Sequence, residues 1–264
     1  MQSSRVFEAA MATPLDGTVA LVTGASSGIG EATALALAVQ GANVAISARR
    51  MDRLERLAGE IVDQGCAALA IESDVSDPKQ ATSAVERTVA ELDRLDIVIN
   101  NAGVMLLGPI EGAPTEEWEE MIDTNLKGVT NTTHAALPHL LSAAGDSERG
   151  CADVVNLSSV AGREARSGSG VYNLTKFGVR AFGESFRQEF AGRRVRSTTI
   201  EPGHVETELM DHIRAGVQEQ SRARFADIEG LQAPDIADTI AYAVTRPAHV
   251  CLNEILIRPT EQVH

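Results

Sequence analysis

The segment Tyr172-Asn173-Leu174-Thr175-Lys176 sets a phenol and an ammonium at helical spacing, so both side chains share one face of any helix that carries them. Such a pair can handle protons. A free tyrosine titrates near pH ~10 and is a poor base at neutrality. Bringing it to about 7–8 needs ~3–4 kcal/mol of phenolate stabilisation, and a nearby cation acts in that direction. Taken alone, the pair reads as surface decoration as well as chemistry. Thirteen residues before Tyr172 lies Ser159, in Asn156-Leu157-Ser158-Ser159-Val160-Ala161-Gly162, directly after an apolar run. Another apolar run ends in Asn100-Asn101-Ala102-Gly103.

A second constellation stands near the start of the chain. Thr23-Gly24-Ala25-Ser26-Ser27-Gly28-Ile29-Gly30 links an apolar run to a stretch of helical period. Glycines there permit a tight turn and let backbone N–H groups approach a pyrophosphate, while a helix N-terminus adds about half a positive charge. The spacing is G-x-x-x-G-x-G, and glycines also serve simply to pack a helix against a strand. The next apolar run ends in Ala48-Arg49-Arg50. An acidic residue at this place would accept a ribose 2′-hydroxyl and favour NAD; two guanidinium groups match the 2′-phosphate of NADP(H) instead. The plainer alternative is a solvated pair heading a helix that also carries Arg53, Glu55 and Arg56. After the third run, Asp74-Val75 is either an adenine-side contact or an ordinary turn.

These residues need a frame, and the hydropathy pattern supplies one. Short apolar runs predict strands over 19–23, 43–48, 67–72, 96–100, 153–158, 195–201 and 253–257. Helical period predicts helices over 28–40, 52–64, 78–92, 115–123, 125–144, 170–191, 207–226 and 234–244, with Asp52 and Asp77 as N-caps. Continuous apolar strands alternating with helices imply parallel strands covered on both faces. The expected fold is α/β: one Rossmann-type, doubly wound parallel sheet with helices on both faces. Residues 1–14 read as a flexible leader and 15–264 as the domain; Gly145–Cys151 is its loosest internal loop.

Composition narrows the function. Among 264 residues, 37 acidic against 23 basic side chains give a formal net charge of −14, a field that repels nucleic-acid backbones. No apolar run reaches the ~20 residues of a membrane span. The three cysteines, Cys66, Cys151 and Cys251, lie far apart and fit reduced thiols of a cytoplasmic protein better than a disulfide frame or metal site.

TGASSGIG, NNAG, a serine before VAG, and YNLTK, in that order over about residues 15–258, resemble the short-chain dehydrogenase/reductase family. The resemblance implies a catalytic tetrad of Asn125, Ser159, Tyr172 and Lys176. Ser159 is taken over Ser158 because the family spaces serine and tyrosine by thirteen. It further implies cofactor contacts at Gly24, Ser26, Ser27, Ile29, Arg49, Asp74, Val75, Asn101, Tyr172, Lys176, Val205 and Thr207, with Arg50 beside the stronger candidate Arg49. In such a tetrad Tyr172 donates a proton, Ser159 hydrogen-bonds the developing alkoxide, and Asn125 holds a water that feeds Lys176. Glu201 departs from the asparagine that many members place before Pro-Gly. With Met105–Pro109, Met121–Asn125 and the tail after Ile257, however, it resembles the branch of clavulanate dehydrogenase and related NADP-dependent 3-hydroxy acid dehydrogenases.

The expectation is therefore an NADP(H)-dependent enzyme acting on a small carbonyl compound or alcohol, with no nucleic-acid or membrane partner. A family member that retains its cofactor through epimerisation or dehydration, and a non-catalytic NADP sensor, are the alternatives. Substrate loops fall at 104–111, 161–171 and 204–231 and carry Arg163, Arg166, His204, Arg214, Arg222 and Arg224. One of these arginines binds a substrate carboxylate, or all of them balance Glu164, Glu206, Glu208 and Glu219 on a solvated lid. Trp118 reads as a helix anchor. The family implies a homo-oligomer, dimer or tetramer, through the long helices bearing Leu126, Val129, Leu137, Leu140, Val179, Phe182 and Phe186. Those stripes fit sheet-facing core equally.

Overall fold

The computed structural model describes residues 13–263. Of the expected leader, residues 1–12 lie outside them. Seven strands form one parallel sheet: β1 (Val19–Thr23), β2 (Asn43–Ala48), β3 (Ala68–Glu72), β4 (Ile97–Asn100), β5 (Ala152–Leu157), β6 (Val195–Pro202) and β7 (Glu254–Ile257), in the order β3-β2-β1-β4-β5-β6-β7. Leu21 pairs with Ala45 on one side and Val98 on the other. The chain thus reverses its direction of travel across the sheet between β1 and β4, the switch point beside which doubly wound sheets open a crevice.

Alternation along each buried strand sends side chains to two cores. Ala20, Val22, Val44, Ile46, Ile97 and Ile99 face one layer, made of α1 (Gly28–Val39), α2 (Met51–Asp63) and α8 (Ala233–Val244). Leu21, Ala45, Val98 and Val154 face the other, made of α3 (Pro78–Leu92), α5 (Gly128–Asp146) and α6 (Gly170–Phe190). Of the apolar stripe on the long helices, Val129, Leu140, Val179 and Phe186 are buried within the subunit. Asp77 caps α3 by accepting from the Lys79 N–H at 2.8 Å, as expected.

Three local expectations change. Asp52 is not the cap of α2: the helix begins at Met51, and Arg50 stands at the cap without a capping side-chain bond. The predicted break between helices 115–123 and 125–144 is no break. α4 (Thr115–Ile122) runs through a π-helical turn, Asp123–Lys127, directly into α5, which continues to Asp146. The single helix expected over 207–226 is a 3-10 turn (Glu208–His212) and a separate α7 (Ala215–Arg224). Between them Ile213 and Arg214 are extended, and Ile213 is buried; seating that one apolar side chain interrupts the helix. Among the described residues no helix is long and apolar enough to cross a membrane.

Candidate active site

A cleft of about 440 Å³ opens along the C-terminal ends of β1, β4, β5 and β6. Its first half is shaped by the glycine turn. Gly24 sits at φ +65°, and a Cβ there would lie 2.7 Å from the Ala102 Cα, so the β1 and β4 turns touch backbone to backbone. Asn101 locks that contact by donating from Nδ2 to the carbonyls of Thr23 and Gly24, at 2.9 and 3.1 Å. Ser27 precedes α1 and gives it no side-chain cap, which leaves the first-turn N–H groups open to an anion.

The two arginines after β2 divide their tasks. Arg50 turns back to Ser26 Oγ (3.1 Å from Nε, 2.9 Å from Nη2) and Ser27 Oγ (2.8 Å). Its Nη1 meets Glu208 of the 3-10 turn at 3.0 Å, and Arg53 joins the same carboxylate at 2.8 Å. These two cations hold the Glu208 carboxyl down to about 2. Arg49 is exposed at the rim and, among the described residues, makes no side-chain hydrogen bond or ion pair. Asp74 lines the cleft, yet its Oδ1 accepts from Ser76 N and Oγ at 2.9 and 2.7 Å, the bonding of a turn aspartate. Val75, Ile29, Val205 and Thr207 line the same space.

Ser159, Tyr172 and Lys176 meet in the second half. Ser159 follows β5 and caps a 3-10 turn, Val160–Gly162: its Oγ accepts from Ala161 N at 3.1 Å and donates to the Pro202 carbonyl at 3.4 Å. Tyr172 and Lys176 stand one turn apart on α6, both buried, with Nζ 5.7 Å from the phenol ring centre. Lys176 donates to the Leu157 carbonyl at 2.7 Å. Burial pushes the Tyr172 hydroxyl up to about 12, with the nearby Ser159 hydroxyl pulling the other way. Burial also lowers the Lys176 ammonium, to about 8.

Asn125 stands behind the cleft wall rather than on it. The π turn presents its buried amide to the β4 loop, where Oδ1 accepts from Val104 N at 2.8 Å. Nδ2 donates to Val104 O at 2.9 Å and to Thr175 Oγ1 at 3.1 Å. Its visible work is to join the β4 loop to α6. Trp118 packs beside Val104, Met121 and Tyr172, as a helix anchor would.

The loop arginines separate cleanly. Arg163 pairs with Glu201 and Glu254, Arg214 with Glu117 at 3.0 Å, and Arg222 with Asp211 at 2.7 Å. The Arg224 side chain lies outside the described residues. Arg166 lines the cleft beside Ser169 and Tyr172, and its ionic contact with Glu164 is 3.3 Å long. His204 stacks flat on Phe225, ring centres 4.3 Å apart, and burial lowers its pKa. Gln262 escaped the sequence reading: it lines the cleft and accepts from the His204 N–H at 2.8 Å. The signal was present in the unusual IRPTEQV tail, but nothing local in that segment tells where its glutamine points.

Comparison with known proteins agrees with this geometry. The family model for short chain dehydrogenase matches residues 18–218. Sulfoacetaldehyde reductase 2 of Chromohalobacter salexigens is 38% identical over 245 residues, covering 92% of this chain and 95% of its own. Glycine betaine reductase of Emericella nidulans is 39% identical over 254 residues, 94% of this chain; the match spans 19% of that longer protein. The closed form of serine dehydrogenase complexed with NADP+ superposes with a TM-score of 0.82 at 33% identity, over 94% of this chain and 97% of its own. An alcohol dehydrogenase from Thermococcus sibiricus, complexed with 5-hydroxy-NADP, gives a TM-score of 0.81 at 30% identity, over 93% and 97%. With its sheet order, its glycine turn and its Ser159, Tyr172 and Lys176 in register, the chain belongs to the short-chain dehydrogenase family, oxidoreductases of CH–OH groups served by a nicotinamide cofactor.

Proposed function

We propose that the protein is an NADP(H)-dependent oxidoreductase that interconverts a small aldehyde or ketone and its alcohol, with Tyr172 as acid and base. The observation that carries this is the convergence of Ser159, Tyr172 and Lys176 on one cleft whose other half holds the glycine turn and Arg49. The donor set suits a dinucleotide: an uncapped helix N-terminus for the pyrophosphate and, at the rim, a guanidinium with no described partner for a 2′-phosphate. When bound, the reduced nicotinamide supplies hydride.

The rest is the work of the chain's own residues. Tyr172, held protonated well past neutrality, is a ready donor to a carbonyl oxygen. Ser159 offers its hydroxyl to that same oxygen as charge develops. Lys176 places an ammonium 5.7 Å from the phenol ring, where it favours the phenolate left after donation. Asn125 keeps the β4 loop and α6 at fixed separation. Arg166 is the loop arginine best placed for a substrate carboxylate or a similar anion, and the sulfonate-bearing substrate in one relative's name fits that reading. Unpaired cysteines suit a cytoplasmic protein. Exposed Leu174 and Phe177 on α6 suit a homodimer or homotetramer, which sedimentation would count.

The deciding experiment mixes protein, NADPH and a panel of small aldehydes, β-keto acids and cyclic ketones, and follows reduced-nicotinamide absorbance together with product. Mole-for-mole oxidation of NADPH to alcohol is expected. Product formed without net oxidation would indicate epimerisation or dehydration with retained cofactor. Cofactor binding without any product would indicate a sensor.

A further inference from the structure

Behind the serine lies an ion cluster that the roles above do not use. Glu201, the penultimate residue of β6, is fully buried, a costly place for a carboxylate unless it is paired. Arg163 Nε donates to its Oε2 at 2.6 Å, and Arg180 Nε stands 3.3 Å from its Oε1. Glu254 on β7 closes the group, 2.6 Å from Arg163 and 3.0 Å from Arg180. Two carboxylates and two guanidinium groups balance within it.

What matters is where these residues attach. Arg163 lies four residues after Ser159, at the end of the turn that Ser159 caps. Arg180 lies four residues after Lys176 on α6, one turn further along the same face. Glu201 precedes Pro202, whose carbonyl receives the Ser159 hydroxyl. The three elements that must hold serine, tyrosine and lysine in register are thus clasped by one carboxylate.

We infer that Glu201, through Arg163 and Arg180, is the positioning residue that sets the Ser159 hydroxyl against the Tyr172–Lys176 face of α6. The inference rests on the oxidoreductase reading above. None of the four charged residues belongs to the cofactor half of the cleft, so the effect of losing the clasp falls on turnover and spares cofactor binding.

Glu201→Gln keeps the shape and removes the charge. The expected result is a fall in kcat of roughly tenfold, from misplacement of groups whose alignment catalysis needs, with NADPH affinity by fluorescence unchanged within about twofold. Because Glu201 acts through Ser159, the same substitution in a Ser159→Ala background should lower kcat by less than about twofold. Arg163→Lys, which cannot fork to two carboxylates, is the milder companion should Glu201→Gln fold poorly, with the same pattern expected. An equal fold-loss in both backgrounds, or a loss of NADPH affinity in step with kcat, overturns the positioning role alone. A wild-type protein that never oxidises NADPH with any carbonyl removes both this inference and the reading beneath it.

Discussion

Lys176→Met should abolish turnover and yet make the protein more stable at neutral pH. Burial lowers the Lys176 ammonium from the ordinary 10.5 to about 8. Below about pH 8 the folded protein carries a charge that its surroundings disfavour. Between about 8 and 10.5 the unfolded chain binds the proton that the folded one has released, so this residue makes stability rise with pH across that window. The difference amounts to roughly 3 kcal/mol. Methionine fills the same stem volume without charge, but it forfeits the bond to the Leu157 carbonyl, which costs about 1–3 kcal/mol if that oxygen is left unpaired. A net gain of roughly 1 kcal/mol at pH 7 remains, or about 2–4 °C in Tm for a chain of this size. Thermal melts of wild type and variant at pH 7 and pH 10, beside NADPH oxidation rates, measure it. The gain should shrink or reverse by pH 10. A Tm difference of equal size at both pH values would refute the burial argument, and normal turnover in the variant would refute the role of the ammonium. Tyr172 acts at the top of this range and above it: held at about 12, it keeps its proton in the folded state longer than the unfolded chain does, and stability falls between about pH 10 and 12.

Other substitutions probe the rest of the cleft. Tyr172→Phe should lose nearly all turnover while still shifting NADPH fluorescence on binding; near-normal rates would remove the phenol from the chemistry. Arg49→Asp replaces attraction to a 2′-phosphate by repulsion and should weaken NADPH use about a hundredfold with little change for NADH, from charge-assisted bonds of ~1.5–3 kcal/mol; an equal loss with both cofactors would point to damage of the turn. Glu208→Gln frees Arg50 and Arg53 from a competing carboxylate and should tighten NADPH by a few-fold, in keeping with the ~0–1 kcal/mol of an exposed ion pair; unchanged affinity would show that Arg50 does not serve the phosphate. Arg166→Gln should erase any preference for an acid substrate over its amide in kcat/KM, and equal values in the wild type would dismiss the anion site.

Much of the local physics is legible in the sequence, although the cap of α2 is not. Val19–Thr23 and Asn43–Ala48 are strands with the expected ends, because runs of small and β-branched apolar residues bounded by glycine and arginine leave little choice. Asp77-Pro78 likewise fixes where α3 begins. A position at a strand end marks Ser158 and Ser159 alike as candidates, and the family resemblance, not local physics, pairs Ser159 with Tyr172. The lid is not legible. Thr207–Ala226 has helical composition, but burial of Ile213, a long-range event, splits it. That Arg50 turns back to Ser26 and Ser27 while Arg49 stays at the rim depends on contacts more than twenty positions apart, which the letters do not carry. Glu201, a departure from asparagine that fits the branch, gives no local sign of its cluster, since Arg163 and Arg180 lie 38 and 21 positions away and Glu254, which shares them, lies 53 away.

The wide turn at Asp123–Lys127 sets a limit on how this protein can be altered. A π turn amounts to one residue more than an α-helix needs, and each residue of an α-helix advances the azimuth by ~100°. The wide turn absorbs that extra residue, so α4 and α5 keep nearly the phase of one continuous helix, and deleting a position between 123 and 127 would regularise the turn while leaving α4 close to its present azimuth. Met121 would stay against Val104 and Tyr172, but the Asn125 amide, which the wide turn presents, would lose its line to Val104 and Thr175. An engineered shortening here would therefore cost the link between the β4 loop and α6 rather than the seating of α4.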